Sequence, residues 1–360
     1  MTINLEIIEK IEAPRSTSSL IGHQDAIEHL ERAINKNKLP HGCILYGPKG
    51  IGKSTLAWHF IKSIHSRDML KSGTLENERR NNKITSQIVA GSHPDCRLIR
   101  RNKNTKPPYR IRKDISVDDI RLMTRFFNLT PTLSKWRTVV IDSTDDMNQN
   151  AQNALLKILE EPPANTLIIL ICHSIHSLLP TVSSRCLTLK LRPLSIKQVN
   201  QILQEQDLNI PNVDLQLLSF LSDGSPGNAI NLLETNGLDL YKTLVEIVCN
   251  LPSMNESLLH KTADSLSGAS EELSYRTFID LILWWLSRII RYSAGKSGDE
   301  EVEIAPGEMK IIDHISGNDL DRLLNAWNRI NILIKRSDSV NLDRKQVILN
   351  IFFELSKAAR

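Results

Sequence analysis

Short apolar runs recur along the first half of the chain, and segments with helical periodicity separate them. The two strongest runs, TVVID ending at Asp142 and TLIILIC ending at Cys172, are rich in β-branched residues. Runs of this composition are typical of parallel strands that are buried on both faces. The sequence predicts strands at 43–46, 97–99, 138–141, 167–172 and 187–191.

Helical patterns lie between these strands. One follows Lys53, and another starts at Ser116, where Asp119 completes an acidic variant of the capping box. A third covers 150–161 and stops at the proline pair 162–163, because proline cannot continue a helix. Strands that alternate with helices predict a doubly wound α/β layer built on a parallel sheet.

Strand patterns fade after residue 191. Ser195 is suited to cap a helix that runs to residue 206, and further helical patterns cover 213–222 and 227–235. From about residue 240 onward the pattern is helical. We therefore expect three domains: an α/β core at 1–191, a small helical lid at 192–238 and an all-α C-terminal domain at 239–360.

Two polar stretches interrupt the core. Residues 69–87 are hydrophilic, and we expect a mobile loop or a poorly ordered insertion there. Residues 100–113 contain seven Lys or Arg with Tyr109 between them. Such a segment could contact a nucleic-acid backbone. A solvated loop is favoured, because no platform of aromatic side chains accompanies the charges.

Composition restricts the class of protein. The net charge is only +4, so the overall charge does not indicate nucleic-acid binding. No apolar run is long enough to cross a membrane, and we expect no membrane partner. The start of the chain lacks the basic and apolar regions of a secretory signal. The five cysteines are scattered, which favours reduced thiols in a cytoplasmic protein.

The segment GPKGIGKS at 47–54 fits the pattern G-x-x-x-x-G-K-[ST] of a phosphate-binding loop. It follows a predicted strand and leads into a predicted helix, which is the context that such a loop requires. Lys53 would reach the β- and γ-phosphates, and Ser54 would bind Mg²⁺. We expect ATP or ADP with Mg²⁺ to be bound by Gly47, Pro48, Lys49, Gly50, Ile51, Gly52, Lys53, Ser54, Thr55 and Asp142.

Asp142 directly follows a predicted strand and is placed to orient the Mg²⁺ shell, so Ser54 and Asp142 are the candidate metal ligands. The next residue is Ser143, which has no carboxylate and is a poor general base for activating water. The sequence therefore predicts nucleotide binding with weak or no hydrolysis.

Four motifs occur in a fixed order: GPKGIGKS, HPD at 93–95, NALLKILEEPP at 153–163 and SRC at 184–186. Together they resemble the delta-prime family of bacterial DNA polymerase III subunits, over roughly residues 14–235. The resemblance implies an AAA+ core, a helical lid and a collar-type C-terminal domain. It also implies a ring with gamma/tau and delta-type subunits that loads the sliding clamp onto primer–template DNA, with indirect contact to clamp and DNA.

The same resemblance assigns a role to Arg185 of the SRC motif, which would act in trans on nucleotide held by the neighbouring subunit. Three departures from the wider family matter. Ser143 replaces the glutamate of the hydrolysing subunits. No cysteine lies between Cys43 and Cys96, so no structural zinc is expected. The lid turn has Gly227 and Asn228 where AAA+ lids often carry an arginine.

Two alternatives stay open at this point. One is a hydrolysing motor of the gamma/tau type or another AAA+ remodeller; intact Lys53 and Ser54 favour it, whereas Ser143 and the lid without an arginine oppose it. The other is a small-molecule kinase using the same loop, which would leave the NALLKILEEPP motif unexplained.

Overall fold

Five parallel strands organise the first half of the chain. A computed structural model describes residues 13–17, 19–36, 38–70, 75–101, 112, 114–206, 210–295, 303–316, 320–340 and 342–359. The strands are β1 (Gly42–Tyr46), β2 (Cys96–Ile99), β3 (Arg137–Asp142), β4 (Thr166–Cys172) and β5 (Leu187–Lys190). They form one sheet in the order β2-β3-β4-β1-β5, with every pairing parallel.

The predicted strands are confirmed to within one residue at each end. β4 is buried along its whole length, and in its pairing with β1 Ile44 lies opposite Leu170. A strand that is buried on both faces has to be apolar at every position, and this is why TLIILIC shows no alternation of apolar and polar residues.

Seven helices accompany this sheet among the described residues. Their ends follow local rules: Ser116 and Asp119 form the predicted capping box, and the side chain of Asn148 accepts a hydrogen bond from the Ala151 N–H at 2.9 Å. They are α1 (Gln24–Asn35), α2 (Lys53–Leu70), α3 (Leu75–Ala90), α4 (Val117–Phe127), α5 (Gln149–Glu160), α6 (Pro180–Ser183) and α7 (Ile196–Glu205).

The helices cover both faces of the sheet, so the chain forms the predicted doubly wound α/β layer. On one face α1, α2 and α3 pack against strand residues that include Leu45 and Ile169. On the other face α4 and α5 pack against the alternate residues, which include Ile44 and Leu170. The strands β1, β3 and β4 therefore contribute successive side chains to two separate cores.

The expectation of a loop at 69–87 is wrong for the described part of that stretch. α2 extends to Leu70, and α3 begins at Leu75. Ile84 and Ile88 are spaced one helical turn apart and are buried in the core on the α2 side of the sheet. A few apolar residues at helical spacing are enough to dock a mostly polar helix. Residues 71–74, and most of the basic segment at 100–113, lie outside the described residues.

The regular elements described after residue 209 are helices, as predicted. They form α8 (Asn212–Leu221), α9 (Pro226–Glu234), α10 (Gly237–Val248), α11 (Glu256–Leu266), α12 (Glu272–Ser293), α13 (Glu308–Ser316), α14 (Leu320–Val340) and α15 (Arg344–Ala358). No helix in the described ranges is both long enough and apolar enough to span a bilayer.

The contacts divide the chain into two units. The sheet unit holds the described residues of Glu9–Leu208 and Asp223–Gly227. The helical unit holds those of Asn209–Ser222 and Asn228–Arg360. The division into three domains at 191 and 238 stays a prediction.

Two histidines are buried side by side in the sheet unit. The rings of His65 and His93 lie 4.7 Å apart. Both nitrogens of His65 are engaged, Nδ1 with the Ser134 hydroxyl at 2.8 Å and Nε2 with the Thr138 hydroxyl at 2.9 Å. Burial, helped by nearby His93 and opposed by Asp95, lowers the pKa of His65 to about 3. His65 is therefore neutral in the folded protein at ordinary pH.

Asp95 of the HPD motif is fully buried and fixes the loop before β3. Its carboxylate accepts hydrogen bonds from the N–H groups of Thr132, Leu133 and Ser134 at 2.8, 2.7 and 3.1 Å. Burial alone would raise the pKa of Asp95, but these donors outweigh it, and the net direction is downward. The HPD motif thus has a structural role in this chain.

The burial of neutral His65 predicts acid-sensitive stability. The unfolded chain binds a proton at His65 below about pH 6.5, whereas the folded chain does not until about pH 3, so this stabilisation is complete above pH 6.5 and is lost as the pH falls. Between pH 7.5 and pH 5 we expect His65 to account for a loss of about 2 kcal/mol in the free energy of unfolding, measured by urea denaturation.

The matched variants for this prediction are His65→Gln, which cannot titrate, and His260→Gln, whose side chain is exposed. The first should be less stable at pH 7.5 yet lose less stability on acidification. The second should behave as the parent does. Equal pH dependence in all three proteins would contradict the assignment.

A buried charged cluster lies in the helical unit. Glu308 of α13 accepts hydrogen bonds from the Tyr241 hydroxyl, from Arg288 Nη1 at 2.5 Å and from the Ile304 N–H at 2.9 Å. Arg288 and Glu308 are almost fully buried, and the Arg288 guanidinium lies over the rings of Phe220 and Trp284. Burial and the neighbouring Glu308 carboxylate raise the pKa of Tyr241 well above its ordinary value.

Removing one partner of this cluster should cost much more than removing a surface charge. Glu308→Ala leaves Arg288 buried without its carboxylate, and we expect a loss of about 3–5 kcal/mol in stability. Glu272→Ala, which breaks surface pairs with Arg276 and Arg344, should cost about 1 kcal/mol or less. Thermal denaturation of the two variants checks this difference in stability. Similar melting temperatures would contradict a large contribution of the buried cluster to stability.

Candidate nucleotide-binding site

The phosphate loop, Gly47–Ser54, lies where the order of the strands reverses. It directly follows β1, whose neighbours are β4 on one side and β5 on the other, and it runs into α2 at Lys53. Ligands of open parallel sheets bind outside the carboxyl ends of the strands at such a reversal. The sequence context inferred for the loop is therefore present in the fold.

Three consecutive carbonyls of the loop point to partners on its outer side. The Lys49 carbonyl accepts from the Ser225 hydroxyl at 2.9 Å, the Gly50 carbonyl accepts from the Gly227 N–H at 2.9 Å, and the Ile51 carbonyl lies 2.7 Å from His23 Nε2. In a planar trans peptide the N–H points opposite to the C=O. The N–H groups of residues 50, 51 and 52 therefore face the inner side of the loop, as a phosphate cradle requires.

Glycine is needed at two positions of this loop, each for its own reason. Gly47 has φ +149°, and a Cβ placed on it would lie 2.3 Å from the Leu191 carbonyl oxygen. Gly52 has φ +99°, a conformation that residues with side chains rarely adopt. The spacing of the glycines in GPKGIGKS thus reflects backbone geometry.

Lys53 is buried at the base of the loop. Its ammonium donates hydrogen bonds to the carbonyls of Gly47, at 2.7 Å, and Pro48. Burial lowers the pKa of Lys53, and the nearby Cys172 and the carboxylates of Asp145 and Asp142 oppose that shift. The predicted phosphate-binding cation is therefore held inside the loop.

Ser54 and Asp142 come together across the sheet edge. The Ser54 hydroxyl oxygen lies 3.4 Å from both carboxylate oxygens of Asp142, longer than the 2.5–3.0 Å of a typical hydrogen bond between oxygens. A hydroxyl and a carboxylate are the oxygen ligands that Mg²⁺ takes beside a nucleotide. The residues present therefore fit a Mg²⁺–nucleotide complex.

The residue after Asp142 has an unusual backbone. Ser143 adopts a left-handed conformation with φ +62°, and it precedes a short 3₁₀ helix at Thr144–Asp146. The backbone turns sharply away from β3 at the position where hydrolysing AAA+ subunits carry a glutamate.

The sequence patterns did not predict the contact of Asp145 with the backbone at His173. The carboxylate of Asp145 accepts hydrogen bonds from the N–H groups of His173 and Ser174 and from the Ser177 hydroxyl. Burial and Lys53 lower the pKa of His173, opposed by Asp145. A polar residue directly after a buried strand beside β1 was the available signal for His173.

Arg185 lies apart from the phosphate loop and is exposed. Its Nη2 is 3.0 Å from a carboxylate oxygen of Glu160, at the end of α5, and its Nη1 donates to the Thr181 carbonyl at 2.9 Å. The NALLKILEEPP and SRC motifs therefore meet at this pair. The next residue, Cys186, fits against Gly42, where a Cβ would lie 2.6 Å from its sulfur.

Metal ligands do not cluster elsewhere in the described ranges. No three His, Cys, Asp or Glu side chains there are arranged to hold a metal ion. The described cysteines are free thiols, and burial raises the pKa of Cys43 and Cys186 to about 12.

The parallel sheet, the loop after β1 and the acidic end of β3 define an AAA+-type P-loop α/β protein. The family model described as "DNA polymerase III, delta subunit" matches residues 22–195. The DNA polymerase III subunit delta' of Pseudomonas aeruginosa is 30% identical over 268 residues, which cover 72% of this chain and 74% of that protein. The chain belongs to the delta-prime family of DNA polymerase III subunits, within the clamp-loader proteins of DNA replication.

Two further matches are a human protein and a solved structure. Human replication factor C subunit 5 is 27% identical over 251 residues, which cover 68% of this chain. The matched region spans 64% of the length of that protein. A solved structure of a DNA polymerase III gamma subunit-related protein from Thermotoga maritima covers 93% of this chain and 99% of its own, with 18% identity and a TM-score of 0.43.

Proposed function

We propose that the chain is a clamp-loader subunit that holds ATP or ADP with Mg²⁺ statically and lends Arg185 to a neighbouring subunit. One observation carries the first part. Lys53, Ser54 and Asp142 converge at the edge of the sheet, and the residue after Asp142 is a serine in a left-handed turn. The binding groups are present, whereas a base for hydrolysis is not at the expected position.

The roles within the site follow from its chemistry. The inward N–H groups of Gly50, Ile51 and Gly52 and the positive end of α2 would hold the phosphates. Lys53 would leave the carbonyls of its own loop to contact the β- and γ-phosphates. Ser54 and Asp142 would hold Mg²⁺, which supplies charge neutralisation between those phosphates.

Weak hydrolysis follows from the residues near the position of the attacking water. Ser143 carries no carboxylate, and a hydroxyl is a poor proton acceptor. Asp145, the next carboxylate after Asp142, already accepts hydrogen bonds from His173, Ser174 and Ser177. These three donors stabilise the Asp145 carboxylate where it holds the 173–177 segment. It is therefore not free to orient a water molecule.

The exposure of Arg185 supports its role in trans. A guanidinium is always charged and can contact several oxygens of a transferring phosphoryl group. Its pair with Glu160 is half-exposed, and pairs of this kind contribute only about 0–1 kcal/mol. Arg185 can therefore exchange Glu160 for a neighbour's nucleotide at small cost.

Family membership supports a proposal about the partners. We propose a hetero-oligomeric ring with gamma/tau and delta-type subunits, which acts on the sliding clamp and on primer–template DNA. In this assembly the subunit contributes to DNA replication through its neighbours. The competing proposal is a hydrolysing motor of the gamma/tau type, which the intact Lys53, Ser54 and Asp142 would allow.

Removing the Lys53 ammonium should weaken nucleotide binding. For Lys53→Ala we expect at least a tenfold weaker affinity for ADP and ATP in the presence of Mg²⁺, because a charge-assisted hydrogen bond is worth about 1.5–3 kcal/mol. Isothermal titration calorimetry measures this, with exposed Lys197→Ala as control. Robust ATP turnover by the parent chain, abolished in Lys53→Ala, would replace the proposal with the motor alternative.

Removing Arg185 should slow the assembled loader. An arginine in this role contributes about 10³-fold or more at the one nucleotide site that it serves. With Arg185→Ala we expect clamp loading to fall at least about tenfold, while nucleotide binding by the isolated chain is unchanged. The assay reconstitutes the ring with its host's motor and delta-type subunits, with exposed Arg192→Ala as control. Loading at the parent rate would exclude the role in trans.

A further inference from the structure

A turn from a distant part of the chain covers the outer side of the phosphate loop. The 223–227 turn, DGSPG, places the Ser225 hydroxyl on the Lys49 carbonyl and the Gly227 N–H on the Gly50 carbonyl, each at 2.9 Å. Both bonds go to adjacent peptide groups of the loop. Two hydrogen-bond donors of the turn therefore hold the outer side of the phosphate loop.

The approach of Gly227 is closer than any side chain would permit. A Cβ on Gly227 would lie 2.8 Å from the Cα of Gly50 and 3.2 Å from its carbonyl oxygen. Contacts below 3.0 Å with backbone atoms force one of the two segments to move. This chain therefore makes a contact between two backbones at the place where AAA+ lids often carry an arginine.

The turn is itself tied to the sheet. The Gly224 carbonyl accepts from the Leu194 N–H at 2.9 Å, and a Cβ on Gly224 would lie 2.4 Å from the Leu194 carbonyl oxygen. Three residues earlier the Leu191 N–H donates to the Tyr46 carbonyl at the end of β1, at 2.8 Å. The position of the turn is therefore fixed relative to the strand that precedes the loop.

These contacts determine which way the loop peptides face. Rotating the Lys49 or Gly50 carbonyl inward would break its bond to the turn and would point a partial negative charge at a phosphate. A loop already held in its binding orientation has little conformational entropy to lose when a ligand binds. Without the contacts from the turn, the phosphate loop would have to become ordered each time a ligand binds, at a cost in conformational entropy.

We infer that Ser225 and Gly227 are positioning residues that hold the phosphate loop in its anion-binding conformation and set the lifetime of the bound nucleoside phosphate. This inference rests on the proposed nucleotide site and explains how the site can retain its ligand without hydrolysis. The ligand class is a nucleoside di- or triphosphate with Mg²⁺.

The test measures the dissociation rate of a fluorescent ADP, N-methylanthraniloyl-ADP, from the full chain. A net hydrogen bond contributes about 0.5–1.5 kcal/mol, so Ser225→Ala should release the probe about 2- to 10-fold faster. Gly227→Ala should release it at least tenfold faster, because the two backbones must separate. Ser225→Thr, which retains a hydroxyl, should restore a rate near that of the parent.

Matched controls make the same chemical changes elsewhere. Gly268→Ala introduces a Cβ whose nearest atoms lie at 3.7 Å, and Ser86→Ala removes an exposed hydroxyl that donates to the Asn82 carbonyl. Both should release the probe at the parent rate. Dissociation within twofold of the parent for both Ser225→Ala and Gly227→Ala would overturn the inference and leave the nucleotide site intact.

A second readout needs no nucleotide. Hydrogen–deuterium exchange of the peptide that covers 47–56 should be faster in Ser225→Ala and Gly227→Ala than in the parent. If the parent binds no nucleotide, the proposed nucleotide-binding site is refuted. Faster exchange in the variants would then still support the positioning role, and unchanged exchange would refute it.

Discussion

Parallel pairing of β1 with β4 on one side and β5 on the other is the constraint on which the rest of the site depends. It places β1 inside the sheet, so the chain after Tyr46 has to leave through the edge where neighbouring strands also end. Asp142 at the end of β3 and His173 after β4 are brought to that same edge. The strands bring these positions to one edge of the sheet, and the residues that follow the strands carry the polar groups of the site.

Backbone carbonyls then decide the polarity of the phosphate loop. Three loop carbonyls are directed to His23, Ser225 and Gly227, so the opposite N–H groups face inward. The ammonium of Lys53 adds a positive charge at the base of the loop. The chain keeps these binding groups while a serine stands at the position suited to a catalytic carboxylate. Arg185, at a different corner of the sheet unit, is free of this arrangement and pairs with Glu160. In the proposed function, binding and catalysis are divided between two surfaces of one subunit.

Much of the fold could be predicted because burial on both faces leaves a clear composition, as in β4. The helix at Leu75–Ala90 could not, since only a few apolar residues such as Ile84 and Ile88 dock it. The loop residues were predicted from a local motif with known spacing. The contacts from Ser225, Gly227 and His23 were not, because they join segments far apart in the chain, and Asp145 gave no local sign that its carboxylate would bind the backbone after β4.

The most direct test of the account is calorimetric titration of the isolated chain with ATP and ADP, with Mg²⁺ and with EDTA, followed by a single-turnover measurement on the ATP complex. We predict that both nucleotides bind more strongly with Mg²⁺ and that the bound ATP stays intact over many times the lifetime of the complex. No binding of either nucleotide, or prompt hydrolysis of the bound ATP, would contradict it.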